Sequence, residues 1–365
     1  MGHNQYLSES NWTGNWTGNS AQCVQVDNSA QVFFIVYYSL VFLVGLFLNG
    51  FTLKVYFCRA QQQVSSSVTV YLRNMAAADF FISLCLPIRI AHYANRSLVV
   101  SRIYCNFGAS AFYLNMYASI LFMGYIAANR YLKIVHPLGN HVLQTVRAAH
   151  IVSIVTWVAL LAMTGTYITL SLATEADRPS VNSTVSCDVL HSKQLSLYYK
   201  IIHTFSVAIF LLVLVSLVFF YYSTSRRLSL AQQKQPMSSG SKKLAKSRRN
   251  MLVLVSVFCV CFVPYHLVRL PYAFLRPCSW GQALFYLKEL TIMGSVLNVC
   301  LDPLIYFIFC KAFRSQLSLR RVFSTTQATG PADRTERRSS DGRMSTIRVN
   351  RKTSLSMTTK QFNIL

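Results

Sequence analysis

NVCLDPLIYF, residues 298–307, carries a carboxylate, Asp302, inside an apolar run, with a proline directly behind it and Tyr306 further on. The stretch CFVPYHLVRLPY, 261–272, likewise sets His266 and Arg269 among apolar neighbours. Outward from these two, seven apolar stretches run between Val32 and Phe309. Each is long enough to cross a bilayer, which takes about 20 apolar residues at about 1.5 Å of rise each. Backbone inside hydrocarbon must satisfy its own hydrogen bonds, so each stretch is predicted as a helix. The expected fold is an all-α membrane protein, a seven-transmembrane helix bundle. An odd number of crossings leaves the termini on opposite sides, so one face can sense and the other can report.

Composition agrees with lipid as the main solvent. The chain of 365 residues is 53% hydrophobic and only 13% charged, whereas a soluble domain carries about 25% charge. Its net charge of +24 is unevenly placed. Residues 226–249 hold eight Lys/Arg and no acid, and residues 311–365 hold twelve against Asp333, Glu336 and Asp341. The first thirty residues hold none. Basic flanks of this kind mark the cytoplasmic side, giving an extracellular N-terminus and a cytoplasmic C-terminus. They serve topology and anionic membrane lipid rather than nucleic acid.

The polar start MGHNQYLSES has no signal-peptide character, so the first span is expected to act as an uncleaved anchor. Glycosylation sequons at Asn11, Asn15, Asn95 and Asn182 all fall in segments that the charge rule places outside. Predicted spans are 31–57, 66–93, 102–135, 147–170, 197–225, 247–275 and 282–309, within a membrane domain of 31–310 that follows a glycosylated N-terminus of 1–30. Three connections are long: a polar outer segment 171–196 with Cys187, a basic inner loop 226–246, and the tail. The stretch KAFRSQLSLRRVF sets Phe313, Leu317 and Leu319 among bases, which predicts a short amphipathic helix over 311–322 on the inner leaflet. Residues 323–365 are Ser/Thr/Arg-rich and expected to be disordered.

Of ten cysteines, Cys58, Cys85, Cys259, Cys261, Cys300 and Cys310 lie in or beside the spans as small apolar fillers. Cys23, Cys105, Cys187 and Cys278 fall outside, where disulfides persist; the sequence alone leaves their pairing open.

Polar residues also stand where hydrocarbon should exclude them: Asn49, Asp79, Arg130 and Asp302. A charge at the bilayer centre costs at least about 2.5 kcal/mol, so such groups are paired, hydrated or functional. These residues carry a resemblance. Over roughly residues 30–322 the chain resembles the rhodopsin-like G-protein-coupled receptors, through GLFLNG around Asn49, LRNMAAADFF around Asp79, Cys105, the NRY triplet of Asn129, Arg130 and Tyr131, Trp157, CFVP ending at Pro264, and DPLIY at 302–306. Within that family FYLNMYASI (112–120), CFVPYHLVRLPY (261–272) and LKELTIMGSVLNVCLDPLIYF (287–307) look like the nucleotide-receptor branch for ADP and UDP-sugars with its orphan relatives. Lysophospholipid and hydroxycarboxylic-acid receptors share parts of the pattern.

His266, Arg269 and Tyr272 recur at helical spacing and share a face of helix six, above Pro264. Lys288 and Glu289 stand near the outer end of helix seven. An arginine fork and a mobile ammonium suit phosphate or carboxylate, and Tyr113 and Tyr117 could supply an aromatic floor. The set fits a small anionic ligand with a flat or apolar end. The resemblance implies that Tyr113, His266, Arg269, Tyr272 and Lys288 contact it; alternatively Arg269 and Glu289 simply pair at the membrane rim. Where the nucleotide branch carries a Trp-His pair on helix five, this chain has Tyr198-Tyr199.

Asp79, Asn115, Ser119, Asn298 and Asp302 bring oxygen-bearing side chains from helices two, three and seven. Family members bind a sodium ion at matching positions; a water-filled network is the alternative. Two buried carboxylates repel without a cation or proton between them. Arg130 matches the family's switch residue, but Asn129 replaces its usual acidic neighbour. No Asp or Glu occurs between Asp188 and Glu289, so Arg130 has no carboxylate on helix five or six. Tyr221 and Tyr306 are its candidate partners in an active state, and elevated basal signalling is expected. Phe258 and Phe262 either relay pocket changes along helix six or are plain core.

The resemblance implies disulfides Cys105–Cys187 and Cys23–Cys278. Basophilic kinase sites in the tail are expected at Ser339, Ser340, Thr353 and Ser354, with receptor kinases and arrestin as partners, and Cys310 is a palmitoylation candidate unless it faces the bundle. Three function classes follow. A receptor signalling through a heterotrimeric G protein, of the Gi class by the branch resemblance, stands first. An ion-coupled transporter would use Asp79 and Asp302 as a path, but no repeat or pair of broken helices is visible. An enzyme would need a nucleophile or metal motif that the spans lack. No catalytic residue, metal centre or cofactor is expected beyond that sodium ion.

Overall fold

The computed structural model of the chain describes residues 28–59, 66–95, 97–136, 142–174, 193–234, 239–274 and 281–309. Through these residues run α1 (Asn28–Arg59), α2 (Ser67–Ala94), α3 (Leu98–Val135), α4 (Val146–Ala173), α5 (Lys193–Lys234) and α6 (Ser239–Phe274). The last, α7, is built from Gly281–Val296 and Asn298–Phe309. Each has the length and apolarity to cross a membrane, and the described residues contain no strand. The end where α1 begins is called upper here, and the other lower.

Short hydroxyl side chains start three of the helices. Ser66, Ser97 and Thr145 each accept a hydrogen bond from the backbone N–H three residues on, at Thr69, Val100 and Ala148, over 3.2–3.3 Å. Such caps satisfy amides that the first helical turn leaves without partners. Near its start α3 widens into a π-turn over Tyr104–Gly108. A Cβ on Gly108 would come within 2.7 Å of the Tyr104 ring, so that turn requires the glycine. Cys105 lies in it and is disulfide-bonded; Cys187, Cys23 and Cys278 lie outside the described residues.

α3 is the central post: 72% of its apolar stretch is buried, against 17% for α4. Phe47, Ile151, Leu212 and Leu267 face outward, which in a bilayer puts them against lipid. Asn49 is fully buried and donates to the carbonyls of Gly45 at 3.0 Å and Val299 at 2.9 Å, tying α1 to α7. A Cβ at Gly45 would meet Val299 at 2.6 Å and Ser83 at 2.8 Å, so that glycine lets α1, α2 and α7 close together. The Trp157 indole donates to Asn74 at 2.9 Å and fastens α4 to α2.

The inner loop expected over 226–246 is mostly helix. α5 continues to Lys234 and α6 begins at Ser239. Arg, Lys, Leu, Ala and Gln are good helix formers, and extending an existing helix avoids the cost of nucleation. The amphipathic segment 311–322, the tail, Asn11, Asn15 and Asn182 lie outside the described residues, as do Cys310 and the side chain of Cys58.

Candidate functional site

Two polar regions lie inside the bundle. In the upper half, Glu289 on α7 is 5% exposed and receives three groups. Arg89 of α2 reaches one oxygen at 2.9 Å, the Tyr93 hydroxyl donates to the same oxygen at 2.6 Å, and Lys288 reaches the other at 3.1 Å. The Arg89 guanidinium also lies 4.6 Å from the centre of the Tyr38 ring and 5.5 Å from that of Tyr104. Aromatic faces and a carboxylate together hold a cation in apolar surroundings.

The alternative pairing of Arg269 with Glu289 is therefore not the one formed: Arg89 takes that place. Arg269 instead lies over the rings of Tyr199 and Tyr272, 5.3 Å from each centre, and Lys288 faces Tyr272 at 4.9 Å. The Tyr272 ring thus meets two cations. Arg269, Lys288 and Arg89 are all buried. At this end the described residues carry three buried cations against one buried carboxylate.

Tyr113 and Tyr117 line a cavity of about 60 Å³ between α3, α4 and α5, with Leu160, Met163, Tyr199 and His203. The remaining predicted ligand residues lie outside it, on α6 and α7, so the structure divides that set in two. Tyr199 joins the halves, because it lines the cavity and also lies beneath Arg269. Tyr198 turns away and donates to the Met163 carbonyl at 3.2 Å.

His266 has both ring nitrogens engaged inside the bundle. Nδ1 donates to the Phe262 carbonyl at 2.8 Å, so Nε2 accepts from the Tyr117 hydroxyl at 3.2 Å. Its ring stacks on Phe210 at 3.8 Å, Phe210 stacks on Phe258 at 5.7 Å, and Phe258 meets Phe262 edge-on at 5.4 Å. This aromatic column descends from the upper site past Pro264, through which α6 continues without a break.

The second polar region lies at mid-depth. Asp79 accepts from Asn115 at 3.1 Å and Ser119 at 3.5 Å on one oxygen, and from Tyr306 at 2.7 Å on the other. Asn298 donates to Ser119 at 3.2 Å. Asp302 is fully buried, and neither of its oxygens has a hydrogen-bond partner among the described residues. All five residues predicted for this site thus belong to one region.

At the lower end Asn129 donates to Ser67 at 2.8 Å. Arg130 lies with its guanidinium 4.8 Å from the centre of the Phe309 ring. Tyr131 stacks on Phe220 at 4.9 Å, and Tyr221 is half-buried on α5. Tyr306, expected as a partner of Arg130 in an active state, is bonded to Asp79 in this arrangement.

Sequence reasoning missed Arg89, Tyr93, His203 and Phe210. Arg89 had a signal, a charge within an apolar span, equal to the one that singled out Asp79. Phe210 had none, because one phenylalanine in an apolar run looks like any other.

Residues 48–306 match the family described as 7 transmembrane receptor (rhodopsin family). The chain belongs to this receptor family. Purinoceptor 14 of Bos taurus is 36% identical over 288 residues, covering 77% of this chain and 82% of that protein. G-protein coupled receptor 87 of Mus musculus is 31% identical over 322 residues, covering 86% and 87%. Purinoceptor 13 of Homo sapiens is 30% identical over 317 residues, covering 85% and 87%. This rhodopsin-family receptor therefore falls in the purinergic and lysophospholipid branch of the G-protein-coupled receptors. It is a multi-pass protein of the plasma membrane, and a receptor rather than an enzyme. Its family makes G proteins its partners.

Proposed function

We propose that this receptor binds a small anionic ligand, a nucleotide such as ADP or a UDP-sugar, at the upper end of the bundle and activates a Gi-class G protein. The observation that carries the reading is the set of three buried cations at this end, Arg89 and Lys288 on Glu289 and Arg269 over Tyr199 and Tyr272. Three buried cations close together give the site a positive potential, which favours an incoming anion. Arg269 and Lys288 take the phosphates, and Tyr113, Tyr117 and Tyr272 offer flat surfaces to the rest of the ligand. Glu289 holds the two cations beside it in position.

The upper end is the extracellular one. Asn95, an exposed sequon residue directly after α2, lies at that end, and basic residues crowd the opposite one. Glycans on Asn11, Asn15, Asn95 and Asn182, and disulfides Cys105–Cys187 and Cys23–Cys278, belong to the same outer face. Asp302, buried and with neither oxygen hydrogen-bonded among the described residues, fits a sodium ion shared with Asp79, Asn115, Ser119 and Asn298. The ion would supply the positive charge that lets both carboxylates stay ionised. Ligand binding shifts an existing equilibrium toward an open lower face, with Phe210 passing the change from His266 to Phe258 and Phe262, and these relaying it toward Asn129, Arg130, Tyr131, Tyr221 and Tyr306. Receptor kinases and arrestin then act on the tail.

A lysophospholipid, lysophosphatidylserine-like, is the second reading. What favours it is the largely apolar lining of the cavity, with Leu114, Leu160, Met163 and Ile202, next to the cations. A cell assay of G-protein dissociation and cAMP inhibition with ADP, UDP-glucose, lysophosphatidylserine and a short hydroxy acid separates the two. Arg269→Ala is expected to raise the half-maximal nucleotide concentration at least about tenfold, the loss of a charge-assisted hydrogen bond. A lipid-only response moves the receptor to the second reading. A nucleotide response that the substitution leaves intact overturns the assignment of the pocket.

A further inference from the structure

The geometry points to Phe309 as the residue that positions Arg130: the arginine is held at rest by the face of an α7 aromatic ring, in place of the carboxylate this chain lacks. The guanidinium carbon lies 4.8 Å from the centre of the Phe309 ring. Within about 6 Å the negative face of an aromatic ring attracts a cation, more strongly where water is partly excluded. Arg130 is half-buried, its Nε has no hydrogen-bond partner among the described residues, and Phe309 packs against the hydrophobic core.

The neighbours close off the other choices. Asn129, directly before Arg130, commits its amide to Ser67 at 2.8 Å. α5 and α6 bring no acid, because none occurs between Asp188 and Glu289. Tyr306, the nearest hydroxyl on α7 in sequence, donates to Asp79 at 2.7 Å.

The contact also has a built-in release. Tyr306 and Phe309 are three residues apart on one helical segment and so project from one face of it. The upper of the two holds Asp79 of α2, and the lower holds Arg130 of α3. That segment, Asn298–Phe309, is set off from the rest of α7 at Leu297, where the backbone tightens to a bond from the Cys300 N–H to the Leu297 carbonyl. A rotation of the segment moves both aromatic residues together. A rotation that carries Tyr306 from Asp79 toward Arg130 also takes Phe309 off the guanidinium. Holding and releasing Arg130 are therefore one event, and the strength of the ring contact sets how often it happens without ligand.

The test removes the ring's negative face with little change of shape. Phenylalanine at 309 is replaced by its mono-, di- and trifluorinated analogues through nonsense suppression in the full-length receptor. Ligand-free nucleotide exchange is read on a panel of G proteins at matched surface expression. Basal exchange is expected to rise stepwise with fluorination, and by about fivefold in Phe309→Leu, while Phe309→Tyr stays near wild type. No agonist is used, so the result stands whatever becomes of the nucleotide reading. A second measurement needs no signalling: the fluorine resonance of 4-fluorophenylalanine at 309 should shift in the Arg130→Gln variant. A flat fluorination series, or a resonance indifferent to Arg130→Gln, overturns the proposal. So does a Phe309→Leu effect that merely tracks a lower melting temperature.

Discussion

Glu289 and Asp302 are both buried carboxylates on α7, and the bundle treats them in opposite ways. Glu289 is met by two cations and a phenol of its own chain. Asp302 is met by none of these; beside it Asp79 takes the available hydroxyl and amide donors. The upper carboxylate is internally compensated, and among the described residues it stands at an end with three buried cations. The middle one is short of positive charge. The proposed anion site thus lies above the proposed sodium site, and the two carboxylates mark the difference between them.

The sharpest way to break that contrast is to strip the upper carboxylate of its partner. Arg89→Met leaves Glu289 buried with less than its full complement, and breaking a buried pair costs about 3–5 kcal/mol. Thermal unfolding of the purified receptor should show a large loss, much of it restored in the Arg89→Met, Glu289→Leu double variant. If single and double variants melt alike, the pair is not the unit described here.

A smaller effect is expected at mid-depth. Sodium chloride in place of choline chloride at equal ionic strength should raise the melting temperature, by about 1 kcal/mol of binding linkage at concentrations several-fold above the dissociation constant. It should also depress ligand-free nucleotide exchange. In Asp302→Asn both responses should vanish. A salt response identical for the two cations would leave Asp79 and Asp302 as a hydrated network instead.

The smallest effect concerns the lower end. Asn129→Asp supplies the carboxylate that the chain lacks beside Arg130 and should reduce basal exchange by about twofold to threefold, the scale of a charge contact to a half-buried arginine. An unchanged or raised basal level would sink the idea that the missing acid matters.

Much of this was legible along the chain. Seven apolar stretches predicted seven helices, with bounds displaced by up to nine residues where basic but helix-favouring sequence extends the end of α5 and the start of α6. The mid-depth residues were legible because an acid or amide in hydrocarbon is conspicuous on any helix. The upper site was read only in part. Arg269 and Lys288 stood out as charges, yet the partner of Glu289 came from α2. The cavity along α3, α4 and α5 left no mark in the spacing, since lining residues such as Leu160 and Ile202 serve equally well as packing.

Crossing number, charge asymmetry and the presence of buried ions were determined by the sequence itself, because each follows from the cost of placing a given residue in lipid, whatever its neighbours. Only the tertiary structure decided that Arg89 rather than Arg269 meets Glu289, that Phe210 links His266 to Phe258, and that a phenylalanine ring holds Arg130. Those choices depend on how each helix is rotated and how closely it approaches the next. Arg89 and Glu289 lie 200 residues apart, and no local pattern records which of several buried cations will reach a carboxylate across that distance.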